Sequence, residues 1–282
     1  MGGPKSLDPK DLVVGAVLQC VEAATLGMPF EVWKTRMGRF RNESTIESFR
    51  NLMNQGISTF WKGLGPKLVE SATKGSILLF SKEAIYNSCT GVGVGNTLSG
   101  FIAGAGGGIC QVTVMSPCTF VVTAMVTSEK GNTAMNSIKE TFNKKGIKGF
   151  YAGGSAIAFR QASNWASRQG LTEFSRNLLK GPDGQLSKKQ EILAGIMGGA
   201  MACWNHPFEV ARIEMQARAH HGQEQQSLMG VLRAVHQEYG IQGLFKGVFP
   251  RVCLGIWQTL FMVTAAKIVK EQMNKEKANK SH

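Results

Sequence analysis

Polar and apolar positions fall into blocks along this chain. Residues 84–128 contain no Asp, Glu, Lys or Arg, enough for a membrane span of ~20 residues with its loop. Two shorter charge-free blocks, 192–208 and 252–266, are rich in Gly, Ala and Met and carry isolated Asn, Gln and Trp. Helices of that composition suit one lipid face and one face on a polar cavity. Because the mean hydropathy of the chain is only −0.07, the pattern alone leaves a second reading open, buried core helices of a soluble protein.

An internal repeat decides the architecture. Gly56-Ile-Ser-Thr-Phe-Trp-Lys-Gly63, Gly146-Ile-Lys-Gly-Phe-Tyr-Ala-Gly153 and Gly240-Ile-Gln-Gly-Leu-Phe-Lys-Gly247 share one frame at offsets of 90 and 94 residues. Upstream of each stands a proline, Pro29, Pro117 and Pro207, at offsets of 88 and 90. The prolines begin Pro29-Phe-Glu-Val-Trp-Lys34, Pro117-Cys-Thr-Phe-Val-Val122 and Pro207-Phe-Glu-Val-Ala-Arg212. These residues resemble the signature of the mitochondrial carrier family, a proline-linked acid and base followed by an aromatic-x-Gly element, intact in two repeats and neutral in the middle one.

The resemblance covers essentially the whole chain, 1–282 as one carrier domain, with repeats at about 9–92, 93–183 and 184–275. It implies an all-α membrane protein of six transmembrane helices in three pseudo-symmetric repeats around a central cavity. Three short helices would lie on the matrix side, with both termini facing the intermembrane space. Proline inside a helix removes a backbone donor and bends the chain, so each odd-numbered helix can close toward the axis. Small residues let helices approach in lipid, and Gly100, Gly104, Gly108, Gly195 and Gly199 are expected to supply that approach.

The family pattern also implies a salt-bridge ring closing the matrix end. Here it is incomplete: Glu31, Lys34, Glu209 and Arg212 carry charge, while Thr119 and Val122 do not. If each acid pairs with the next repeat's base, only Glu209 with Lys34 remains, and exchanging those two charges should preserve the attraction. Gln216 is expected to brace this gate. On the opposite gate the resemblance points to Glu83, Glu173, Arg176, Lys267 and Lys270.

Counting seven residues from Gly63, Gly153 and Gly247 reaches Glu70, Arg160 and Leu254, which match the family's substrate-contact positions. Helical spacing adds Lys74 and Leu78 beside Glu70, and Asn164 and Arg168 beside Arg160. Gln161 follows Arg160 as in carboxylate carriers, and Arg251 precedes Leu254 by three. Charged side chains at bilayer depth cost ~2.5 to 3.5 kcal/mol each on insertion scales and are functional by default. The resemblance implies Lys74, Arg160, Arg168 and Arg251 as candidate carboxylate ligands, a set whose chemistry suits a di- or tricarboxylate, with Glu70 orienting Lys74 or keeping the net cavity charge modest. The segments around these residues resemble the branch of the family that exchanges citrate for 2-oxoglutarate; the residues themselves leave other anions open, a keto acid or a nucleotide.

Charge adds one constraint. The 32 basic and 19 acidic residues give +13, which implies anionic partners: carboxylate substrates, nucleic acid or an anionic lipid such as cardiolipin. The basic residues are spread rather than striped and no nucleic-acid-binding motif is present, so nucleic acid is the weaker reading. Six cysteines without Cys-x-x-Cys spacing suggest neither a zinc site nor a disulfide framework. No nucleophile-base, metal or phosphate-loop constellation supports an enzyme, and neither a cofactor nor a metal is expected. The first residues predict no cleavable presequence. A monomer in the mitochondrial inner membrane is the expected form.

Overall fold

The computed structural model describes residues 9–128, 133–179 and 187–280, which are helical with no strand among them. Six spans follow in chain order, with a short helix after each odd span. Span one is α1 (Pro9–Glu22) and α2 (Met28–Arg39), followed by α3 (Thr45–Asn54) and span two, α4 (Leu64–Gly91). Span three is α5 (Asn96–Cys110) and α6 (Val112–Thr127), followed by α7 (Ala134–Lys145) and span four, α8 (Gly154–Leu179). Span five is α9 (Lys188–Met201) and α10 (His206–His220), followed by α11 (Leu228–Leu244) and span six, α12 (Val248–Lys280). The short helices start at hydroxyl caps: Ser44, Thr133 and Ser227 each accept a backbone N–H three residues on, which satisfies donors that a helix start leaves free.

The spans close into a ring. α1 packs on α4, α4 on α5, α5 on α8, α8 on α9, α9 on α12, and α12 returns to α1. At one end α2, α6 and α10 also touch one another, so that end is shut. Length and hydropathy identify spans one and six, and span three as a pair bent by 41°. The remaining spans miss that threshold because their apolar lipid face is diluted by the polar face they turn inward.

The two repeated motifs lock onto each other. Each odd span breaks just before its proline: a π-turn at Ala23–Gly27 before Pro29, the bend at Gln111 before Pro117, and a 3-10 turn at Ala202–Asn205 before Pro207. A proline cannot donate to the carbonyl one turn back. The aromatic of the second motif takes up the slack, Trp61 donating to the Ala24 carbonyl at 2.7 Å and Tyr151 to the Thr113 carbonyl at 3.0 Å. Phe245 has no donor; instead His206 Nε2 donates to the Lys246 carbonyl at 2.8 Å and its ring stacks on Phe245.

The motif glycines Gly63, Gly153 and Gly247 take φ of 85°, 76° and 86°, a region open chiefly to glycine. A Cβ on each would come within 3.0 to 3.2 Å of backbone at Val122, Arg212 and Lys34 respectively. Those are the three base positions of the signature, so each repeat seats its glycine on the next repeat's odd helix. Of the glycines expected at helix contacts, Gly104 and Gly108 are buried on α5. A Cβ on Gly100 or Gly199 would meet nothing within 4 Å, whereas Gly106 meets Ile85 and Gly107 the Leu78 carbonyl on α4. Gly195 only grazes Thr259, at 3.7 Å. Spacing of four marks a face; the neighbouring helix decides which glycines on it are used.

Candidate functional site

The ring encloses a cavity of about 880 Å³. Glu70, Lys74, Leu78, Arg160, Gln161, Asn164, Arg251 and Leu254 all line it. The side chains of Arg168, Glu173, Arg176 and Lys270 lie outside the described residues. Glu83 and Lys267 are exposed, on α4 and α12.

The floor of the cavity is a buried charge network. Glu209 lies 2.7 Å from Lys34, 2.8 Å from Arg212 and 3.2 Å from Arg160. Glu31 lies 2.9 Å from Lys34, 3.9 Å from Arg212 and 4.0 Å from Lys67. One acid thus faces three bases drawn from three spans. Removing charge from such a set leaves the rest buried and uncompensated, which costs more than the pairing itself contributes. The expected contact of Glu209 with Lys34 is present, but it lies in a set that also holds Arg212 and Arg160, so exchanging the two charges places each beside a like charge. A lysine at 209 would face Arg160 and Arg212, and a glutamate at 34 would face Glu31.

Helix α6 of repeat two meets this network with neutral hydrogen-bonding side chains. Gln216 Oε1 accepts from Arg212 at 2.8 Å and from the Thr123 hydroxyl at 2.9 Å. Its Nε2 donates to the Thr119 hydroxyl at 3.0 Å. Every polar atom of this fully buried amide is therefore used, as burial requires.

Above the floor the partners differ from those expected for Glu70. It is 1 % exposed and pairs with Lys67, at 3.2 Å, not with Lys74. Lys67 sits one turn before Glu70, so its face was readable, but helical spacing alone offered Lys67 and Lys74 equally. Lys74 and Arg251 have no carboxylate at salt-bridge distance among the described residues. Arg251 is oriented by neutral groups: it donates to Asn205 Oδ1 and, at 3.3 Å, to His206 Nδ1. Because His206 Nε2 is committed to the Lys246 carbonyl, the network assigns a neutral imidazole with Nδ1 as acceptor. Asn205 Nδ2 in turn donates to the Arg160 carbonyl at 3.3 Å and Ser163 Oγ at 3.2 Å, joining spans four, five and six. Gln161 donates to Gln111 at 2.7 Å, and Gln111 to the Lys74 carbonyl at 2.8 Å, joining spans four, three and two.

Several of these residues were not singled out from sequence. Lys67, Gln111, Asn205 and His206 carry no motif, and only their equivalence in depth to the proline breaks could have marked them. In all, the described lining holds six Lys or Arg and four Glu. The excess is positive, and Lys74 and Arg251 are the lining cations without a carboxylate at salt-bridge distance among the described residues.

A family model described as mitochondrial carrier protein matches residues 8–91, 94–183 and 185–277. A citrate/oxoglutarate carrier protein of Saccharomyces cerevisiae is 35% identical over 286 residues, covering 95% of this chain and 91% of its own. The tricarboxylate transport protein of the same yeast is 23% identical over 87% of this chain and 90% of its own. Mitochondrial citrate transporter B of Aspergillus niger is 22% identical over 86% and 85%. Three successive matches account for nearly every residue of the ring: the chain belongs to the mitochondrial carrier family, a family of transporters, as a multi-pass protein of the mitochondrial inner membrane.

Proposed function

We propose that this carrier exchanges a tricarboxylate for a dicarboxylate, citrate for 2-oxoglutarate, by alternating access. The observation that carries the reading is a pair of lining cations, Lys74 on α4 and Arg251 on α12, with no carboxylate at salt-bridge distance among the described residues, in a cavity where Arg160 is shared with Glu209 at the gate. The 35% identity to a citrate/oxoglutarate carrier protein supports the choice of anions.

Arg160 supplies the coupling. An anion seated between Lys74 and Arg251 competes with Glu209 for the Arg160 guanidinium, and arginine favours a carboxylate it can grip with two parallel hydrogen bonds. Drawing Arg160 upward weakens the floor, so bound substrate shifts the population toward the state open to the matrix. Without substrate the floor network stays intact, which makes exchange obligatory. Gln161, Asn205 and His206 hold the ligating groups in place.

The test is exchange in liposomes against a panel of di- and tricarboxylates, keto acids and nucleotides. Citrate and 2-oxoglutarate should be the fastest pair, and Lys74→Ala or Arg160→Ala should reduce exchange at least a hundredfold at equal membrane insertion. Near-normal transport by either variant, or substantial uptake into liposomes with no internal anion, would refute the site or the obligatory exchange.

A further inference from the structure

One ionisable group in the cavity takes no part in the scheme above. Glu22, the last residue of α1, is 5 % exposed and lines the cavity. Its Oε1 has no hydrogen-bond partner, and among the described residues no base lies at salt-bridge distance from it. The carboxyl group has a formed seat: it rests in the π-turn against Gly27, where a Cβ would come within 2.5 Å of Oε1. Any larger residue at 27 would evict it.

The groups facing this carboxyl come from three elements. Lys67 and Lys74 approach from α4 and Glu31 from α2, and Gln258 on α12 hydrogen-bonds the carboxyl group; Glu70 on α4 is engaged with Lys67. On α1 itself the neighbour lining the cavity is Gln19. Lys67 is held by Glu70 and Glu31, which leaves Lys74, among the described residues, as the cation on this wall with no carboxylate at salt-bridge distance. That lysine is the one assigned to the substrate, so Glu22 and a bound anion compete for the same positive charge. With Glu22 ionised the described lining carries two more positive than negative charges; a dicarboxylate balances them, whereas a tricarboxylate leaves one negative charge over, which is costly in a buried site and which a proton on Glu22 removes.

We propose that Glu22 is a proton-carrying site that loads with the tricarboxylate and empties with the dicarboxylate. The inference rests on the exchange proposed above. The charges balance: citrate with three negative charges and one proton on Glu22 cross together, the proton is released on the far side, and 2-oxoglutarate with two negative charges returns with Glu22 ionised. No net charge moves in a full cycle. The switch at Glu22 is worth one charge, which equals the difference between the two substrates and does not depend on the rest of the lining.

The experiment uses the full chain in liposomes loaded with 2-oxoglutarate and a trapped pH dye, with citrate outside and the membrane potential set by potassium and valinomycin. Wild-type exchange should acidify the lumen by about one proton per citrate and ignore the imposed potential, because one carboxyl group binds one proton. In Glu22→Gln, fixed in the uncharged form, the proton-to-citrate ratio should fall to near zero and the exchange rate should become dependent on potential. Glu22→Asp should restore proton movement. If Glu22→Gln still acidifies the lumen with each citrate, the proton rides on the substrate and the proposal is overturned. Wild-type exchange that moves charge without protons overturns it as well, independently of any variant. A protein that exchanges neither anion refutes the parent reading and this one together, whereas exchange without acidification refutes only this one.

Discussion

The three seams at the closed end are built from different chemistry. Between repeats one and three, α2 and α10 meet through charge: Lys34 with Glu209 at the floor, and one layer further out Arg39 and Arg41, each 2.8 Å from Glu214. Between repeats one and two, α2 and α6 meet through an apolar cluster of Met28, Val32, Leu52, Phe60, Val122 and Val126. Between repeats two and three, α6 meets α10 through neutral side chains of its own that hydrogen-bond, Thr123 with Gln216 and Ser128 with His220. Opening the first seam returns ions to water, which recovers their hydration. Opening the second exposes hydrocarbon at roughly 25 cal/mol per Å² with nothing to offset it. A pseudo-threefold fold thus holds a gate whose three sides open at different cost, and a neutral middle repeat is a design in which one seam is held by oil.

The contrast breaks most sharply at Glu209. Glu209→Gln strips Lys34, Arg160 and Arg212 of their shared acid and should lower stability by about 3 to 5 kcal/mol, read as thermal unfolding in detergent alongside exchange in liposomes. The double exchange Lys34→Glu with Glu209→Lys should be no better than the worse single variant; substantial recovery would mean that the two charges act as an isolated pair. Val122→Lys would restore the missing signature charge inside the apolar seam. With hydrophobic neighbours on both helices it should cost roughly 2 to 4 kcal/mol, and a stabilised or faster carrier would show instead that this seam tolerates charge.

Smaller effects sharpen the same comparison. Gly247→Ala forces a side chain at φ 86° to within 3.0 Å of the Lys34 carbonyl. It should cost more than Gly93→Ala, which has nearly the same φ, 84°, but open space around it and loses only the ~1 to 2 kcal/mol of the left-handed backbone. Equal losses would remove the close approach from the argument. Thr123→Val keeps shape and removes one donor to Gln216, whose Oε1 retains Arg212. About 1 kcal/mol is expected, with exchange little changed; a loss as large as that of Glu209→Gln would place the neutral seam on a level with the charged one.

The sequence by itself determined a great deal. Three registered copies of two motifs specify the repeats, the proline breaks and the even-span faces that carry Glu70, Arg160 and Leu254. Local periodicity suffices for that, because 3.6 residues per turn sets both the face and the depth of a side chain. Partnership was beyond it. Glu70 had Lys67 and Lys74 at comparable spacing, and only the approach of α2, with Glu31 4.0 Å from Lys67, draws Lys67 into the floor and leaves Lys74 free. Glu209 read as the partner of one lysine until spans four and five brought Arg160 to 3.2 Å. Glu22 read as nothing in particular, since its meaning lies in what fails to reach it. Pairings across a ring depend on distances between residues scores of positions apart, which no local pattern encodes; the tertiary structure alone decides which charges are neutralised and which remain for a substrate or a proton.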